Sequence, residues 1–221
     1  MRTHVQVMSG DTKTTAQHIA AYINKQLEEG KSVLWLVSGG SAVGVAVQVR
    51  NLLGPLSSNN QLHVALIDER FGEPGHADSN ERQLLDAGFD LSKLTFHPVL
   101  AGHDIDKTTR DYDAKLVKLV SKVDSIIGLF GMGSDGHTAG LLPGNPLMGS
   151  SSLVGHFDGP DYQRITITPA FIRQVDQAVL YAVGRAKWPT LRNLTTTNLP
   201  VASLHGAKNL VVFSDYKEEK L

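Results

Sequence analysis

The feature that most narrows the fold is a set of short, almost wholly apolar runs separated by stretches of helical spacing. SVLWLV (32–37), LHVALID (62–68), SIIGLF (125–130), AVLYAVG (178–184) and NLVVFSD (209–215) each fit one strand and are too short for a helix. A strand that is apolar on both faces has to be covered on both faces. That is the situation of a mostly parallel sheet between helical layers, so the pattern predicts an α/β fold.

The intervening segments agree. Asp11 to Glu29 carries Ala16, Ile19, Ala20, Ile23 and Leu27 on one helical stripe and stops at Gly30. A second helix is expected from about Ala42 to Leu53, before Gly54-Pro55, and a third on the face of Tyr112, Leu116, Leu119, Val120 and Val123. Asp78 followed by Glu81 reads as a capping box for a helix through Leu85. LTFHPVL is a strand that Pro98 confines to an edge or an end. RITIT (164–168) alternates as a strand, with Thr168-Pro169 as N-cap and first helical residue of a short helix. The Ser- and Gly-rich stretch 147–159 reads as a loop. No internal repeat or linker divides the chain, so one domain over residues 1–221 is expected.

Composition limits the partners. Hydrophobic residues are 41% and charged residues 19%, as in a globular chain. A net charge of -1 with no polybasic block gives no basis for binding nucleic acid or an anionic membrane. No apolar run approaches the ~20 residues of a membrane span, and the opening MRTHVQVMSGD has no apolar signal segment. A soluble, cytoplasmic protein is the expectation. Cysteine is absent, which excludes disulfides and thiolate metal ligands. The nine histidines form no His-Glu-x-x-His pattern, so no metal is expected; no Gly-x-Ser-x-Gly elbow marks a serine hydrolase.

In such folds ligands bind outside the carboxyl ends of the strands. Three of the apolar runs end in polar or glycine-rich loops, which a parallel sheet would bring to one edge. Ser38-Gly39-Gly40-Ser41 is either a tight turn or an anion cradle of backbone N–H groups and hydroxyls. Asp68-Glu69-Arg70 is either a solvated turn with a local ion pair or a partly desolvated acid beside an arginine clamp. GMGSDGHTAGLLPG (131–144) holds an acid and a histidine around Gly136, a position expected to need a conformation that a β-carbon would strain. Its first six residues match G-x-G-x-x-G. However, Leu141-Leu142-Pro143-Gly144 would end the following helix after about two turns, so no nicotinamide cofactor is expected.

Taken together, SGGS, DERFG with the later DSN, GMGSDGHTAGLLPG, RITIT and VGRAK resemble the 6-phosphogluconolactonases, within the larger glucosamine-6-phosphate isomerase/deaminase group. The markers occur in that family's order from about Ser38 to Lys187. The resemblance implies a Rossmann-like three-layer α/β/α sandwich. It also implies hydrolysis of a sugar-phosphate lactone, 6-phosphogluconolactone, in the oxidative pentose phosphate pathway, with no metal or cofactor. Residue by residue, His137 matches the general base, and Asp135 and Asp68 match the acids around it. Gly39, Gly40 and Ser41 match the loop at the phosphate end, with Ser38 leading into it. Arg70 and Lys187 match cations near the substrate, and Arg164 is a looser match.

The chain departs from the family in three places. Ala42-Val43 stands where Thr-Pro is frequent, Gly140 where serine is common, and Trp188-Pro189 breaks the expected helix after Lys187. Two other functions lie near, the deaminases by their Asp-Gly-His and phosphosugar sensors by their general fold. The deaminases carry a glutamate just before Pro-Gly, where this chain has Leu141-Leu142, and usually an aromatic residue where it has Arg70. Phosphosugar sensors share the fold without turnover; His137 is intact here. The expected chemistry is water attack on the lactone carbonyl, with His137 as base and Asp135 or Asp68 orienting it.

Overall fold

The computed structural model describes residues 4–54, 61–194 and 196–216. In chain order the elements are β1 (His4–Ser9), α1 (Thr12–Glu28), β2 (Val33–Val37), α2 (Val43–Leu52), β3 (Leu62–Leu66), β4 (Asp68–Arg70), α3 (Asn80–Asp86), β5 (Thr95–His97), α4 (Ile105–Val120), β6 (Ser125–Gly131), β7 (Val154–Asp158), β8 (Gln163–Ile167), α5 (Pro169–Ile172), β9 (Gln177–Tyr181), α6 (Trp188–Arg192) and β10 (Asn209–Ser214).

Seven strands form one sheet in the order β1-β10-β9-β6-β2-β3-β5, and every neighbouring pair is parallel. Its central strands are buried throughout: Val33 to Val37 of β2 have no exposed surface at all. At roughly 1.5–3 kcal/mol for each large apolar side chain removed from water, such strands supply much of the drive to fold. The apolar stripe of α1 (Ala16, Ile19, Ala20, Ile23) is buried, and α1 packs on α2. The connection through α4 crosses the sheet in the opposite direction. Right-handed crossovers therefore place α4 on the other face, giving three layers, α/β/α. A second sheet of three antiparallel strands, β4-β8-β7, packs by β7 against α4.

The chain winds outward from β2 through β3 to β5, returns to β6, and then winds the other way to β9 and β10. The direction of winding reverses between β2 and β6. Their carboxyl ends therefore leave a crevice, and into it run the loops 38–41 and 131–144.

Several local expectations need correction. The start of α3 is capped by Ser79, whose hydroxyl accepts the Arg82 N–H, and not by Asp78. The stretch 147–159 contains β7, paired to β8 and so ordered by its neighbour; the alternation in its own sequence is too weak to announce it. Asp68 does not end β3: it opens β4, in the other sheet. RITIT likewise belongs to that second sheet. No helix follows Gly131; the loop turns back on itself through an isolated bridge between Thr138 and Leu141. Pro189 sits in the first turn of α6, where its missing N–H costs nothing, and starts that helix instead of breaking it. No described helix is long and apolar enough to cross a membrane.

Candidate active site

A cleft of about 530 Å³, open solvent included, lies at the crevice between β2 and β6. One wall is the loop after β2. Gly40 has φ +60 and opens a single 3₁₀ turn (Gly40–Ala42) that runs into α2, so the chain doubles back sharply after Ser38. Ser38 is buried, and its hydroxyl has no hydrogen-bond partner. A buried hydroxyl without a partner is rare in folded proteins, and this one belongs to a residue that lines the cleft. Ser41 is exposed at the rim.

The second wall is the loop after β6. Asp135 Oδ1 lies 2.7 Å from His137 Nδ1 and also accepts the His137 backbone N–H. A carboxylate can only accept, so Nδ1 carries the hydrogen of this contact; Nε2 has no partner among the described residues and, in the neutral ring, holds the lone pair. The two side chains are 44% and 50% exposed, so water reaches the pair. Partial burial pushes the Asp135 carboxyl up, but the bonds from His137 outweigh it and hold the group below the usual carboxylate range. Backbone bonds shape the loop: Gly136 N–H to Gly133 O, Gly133 N–H to His137 O, and Val201 N–H to Gly136 O. Gly136 has φ +81, the conformation expected of it. Ala139 (φ +52) and Gly140 (φ +66) are also left-handed. Ala139 is the unusual one, since its β-carbon resists that region.

The third wall is β4. Asp68 is buried, and burial raises its pKa, with Arg164 and Arg70 pulling the other way. Its carboxylate lies against Gly140, so closely that a β-carbon there would fall 2.8 Å from Oδ2. Gly140 thus stands at a point of close approach where a side chain would displace Asp68. Arg70 lines the cleft; its Nη1 donates to Asp78 O, its Nε is buried without a partner, and its guanidinium lies 5.1 Å from the centre of the Tyr162 ring.

Of the residues singled out from sequence, Ser38, Gly39, Gly40, Ser41, Asp68, Arg70 and His137 all line this one cleft. Asp135 stands behind His137. Arg164, directly across from Arg70 on β8, stands behind Asp68, with Nη1 3.6 Å from Oδ2. Lys187, in the 3₁₀ turn after β9, is not among the lining residues; it is half-buried, which lowers its pKa against the pull of Asp215. Three further residues escaped the sequence reading. Asn80 lines the cleft from the start of α3. Thr166 is fully buried and donates its hydroxyl to Ala139 O, tying β8 to the histidine loop. Glu69 is fully buried, with its carboxylate on three backbone N–H groups. Each lies inside a motif that carries the resemblance, Glu69 in DERFG, Asn80 in DSN and Thr166 in RITIT, but residue type alone gives none of them a role. Among the described residues no group of three or more His, Asp or Glu side chains could hold a metal ion.

A water-accessible histidine–carboxylate pair and a glycine-rich strand-to-helix loop share one cleft at the switch point of a doubly wound sheet, the place where α/β proteins hold small ligands. The chain belongs to the glucosamine-6-phosphate isomerase/6-phosphogluconolactonase family, whose model it matches over residues 11–212. It is 30% identical over 160 residues to the 6-phosphogluconolactonase of Caulobacter vibrioides, covering 66% of this chain and 67% of that protein. To the corresponding Nostoc protein it is 31% identical over 144 residues, covering 60% of this chain and 59% of that protein. It spans only 44% of a chloroplastic rice relative. The crystal structure of 6-phosphogluconolactonase from Thermotoga maritima superposes with a TM-score of 0.83 at 23% identity, covering 96% of this chain and 99% of that one. The Leishmania guyanensis structure gives 0.77 at 20% identity, over 100% of both chains. At those identities the structural likeness speaks for the fold.

Proposed function

We propose that this chain hydrolyses 6-phospho-D-glucono-1,5-lactone to 6-phosphogluconate. The observation that carries the reading is the Asp135–His137 pair, whose 2.7 Å contact leaves Nε2 free beside the cleft. Neutral His137 takes a proton from water as the water oxygen attacks the lactone carbonyl carbon. The bond from that carbon to the ring oxygen then breaks. The imidazolium returns its proton to the departing oxygen, and the new carboxylic acid ionises to solvent. Asp135 keeps the ring in the required tautomer and stabilises the imidazolium. A lactone is an activated ester, so no covalent nucleophile is required. Loop N–H groups are the donors for the charge that develops on the carbonyl oxygen.

The phosphate takes the other end of the cleft, on Ser38, Gly39, Gly40 and Ser41, clamped by Arg70. Arg164 adds positive field from behind Asp68, and Lys187 is the further cation offered to the substrate. Asp68, whose burial favours its protonated form, is the second acid of the site and suits a sugar hydroxyl.

The test is an assay on freshly generated 6-phosphogluconolactone, with glucosamine-6-phosphate as control. Ring opening well above the spontaneous rate is expected, with no ammonia released from the amino sugar. An unphosphorylated gluconolactone should be a much poorer substrate, and inorganic phosphate should compete. Equal rates on the two lactones would remove the phosphate site, and no acceleration on either would remove the reading.

A further inference from the structure

Glu69 stands between two residues of the cleft wall, Asp68 and Arg70, but strand alternation turns it away from the cleft. Its carboxylate accepts the backbone N–H groups of Arg70 (2.7 Å), Asn80 (2.6 Å) and Glu81 (3.0 Å). The last two open α3. Ser79 serves the next two donors, its hydroxyl accepting from Arg82 and its carbonyl from Gln83. Two residues, Glu69 and Ser79, therefore satisfy the whole start of the helix.

Asn80 leaves that turn with a buried side chain that reaches two ways. Its Nδ2 donates to Asp68 O at 2.9 Å. Its Oδ1 lies against Gly39, where a β-carbon would fall 2.1 Å from it. The side chain thus spans from the strand of Asp68 to the loop after β2, two walls of the cleft. Its backbone is held in that place by Glu69.

We propose that Glu69 is a positioning residue: acting through Asn80, its carboxylate sets the spacing between the Gly39–Ser41 loop and Asp68. The proposal deepens the phosphosugar reading and rests on it for its kinetic consequence. The carboxylate is needed because three donors converge on it. A glutamine has one oxygen and would turn its NH2 toward a backbone N–H, leaving buried donors unpaired.

The test compares Glu69→Gln, Asn80→Ala and the double variant in the full chain, above the pH of about 7 at which buried Glu69 ionises, by kinetics and by amide hydrogen exchange. Each single variant should lose about ten- to a hundredfold in kcat/KM on the phosphorylated lactone, the scale of an ångström of misplacement. The amides of Ala42 and Val43, which bond back to Gly39 and Gly40 carbonyls, should exchange faster. Because the two residues act as a unit, the double variant should be no slower than Asn80→Ala alone. A Glu69 that only stabilises the fold would lower the melting temperature and leave KM, kcat per folded molecule and loop exchange unchanged. That result overturns the proposal, and so do losses that multiply in the double variant. Exchange reads the coupling whether or not the lactone is turned over. A wild-type chain inactive on the lactone therefore removes the proposed function, while exchange alone still decides this inference. If Glu69→Gln does not fold, Asn80→Ala decides it: unchanged exchange at Ala42 and Val43 overturns the proposal.

Discussion

A β-carbon at position 133 would lie 2.2 Å from His137 Nδ1 and 2.4 Å from Asp135 Oδ1, so the pair exists in its present geometry only because residue 133 has no side chain. Gly133 is not in the left-handed region, so alanine fits its backbone and the strain falls on the pair. Gly133→Ala should melt near the wild-type temperature yet lose roughly 10²-fold in turnover, read by steady-state kinetics beside a thermal scan. Gly136 cannot make that separation. Its φ of +81 and a contact of 2.6 Å from a β-carbon to Leu199 mean that any side chain there disturbs stability and geometry together. For His137→Ala, a base removed from a water-accessible pair, the expectation is normal folding and a loss of about 10²–10⁴ in rate over the spontaneous background. Wild-type turnover by that folded variant would dismiss His137 as the base.

Among the elements, α3 shows how support for the site divides. Ser79→Ala removes one cap bond and should cost about 1 kcal/mol in stability. Activity should hardly change, since Glu69 still fixes Asn80 and Glu81; denaturant titration and kinetics check the two halves. The same elements show what can be read from a sequence. β2, β3, β6, β9 and β10 are legible because burial on both faces demands continuous apolar runs. β1 and β7 are not: HVQVMS and VGHFD mix polar with apolar residues, and pairing with β10 and β8 decides them. Asp68, Arg70 and His137 announce themselves by residue type at strand ends. The function of Glu69 does not, because it depends on where α3 starts, eleven residues on, and on a second sheet that no local pattern encodes.

For the molecule as a whole, a buried acid and a half-buried histidine set opposing responses to pH. Burial pushes Glu69 from 4.5 up to about 7. Between those values the unfolded chain gives up a proton that the folded protein keeps, so this group's contribution to stability falls as pH rises. Burial, with His63 and Lys115 adding repulsion, pushes His97 from 6.5 down to about 4. Between those values the unfolded chain takes a proton that the folded protein refuses, so stability rises with pH. Across the shared window, pH 4.5 to 6.5, the two slopes oppose each other. His97→Gln removes one of them. Its melting temperature should fall more steeply with rising pH than that of the wild type, as thermal unfolding at a series of pH values would show; parallel curves would refute the balance.

The order of strands also fixes an order of events during synthesis. In the described residues β1 borders only β10, and β10 lies between β1 and β9. β1 must therefore wait for its neighbour until β10, more than two hundred residues further along the chain, has been made. The strands and loops that form the cleft all precede β10 and can assemble among themselves beforehand. A chain that has reached β9 thus already holds every residue that lines the cleft, while β1 still lacks the one strand it borders among the described residues.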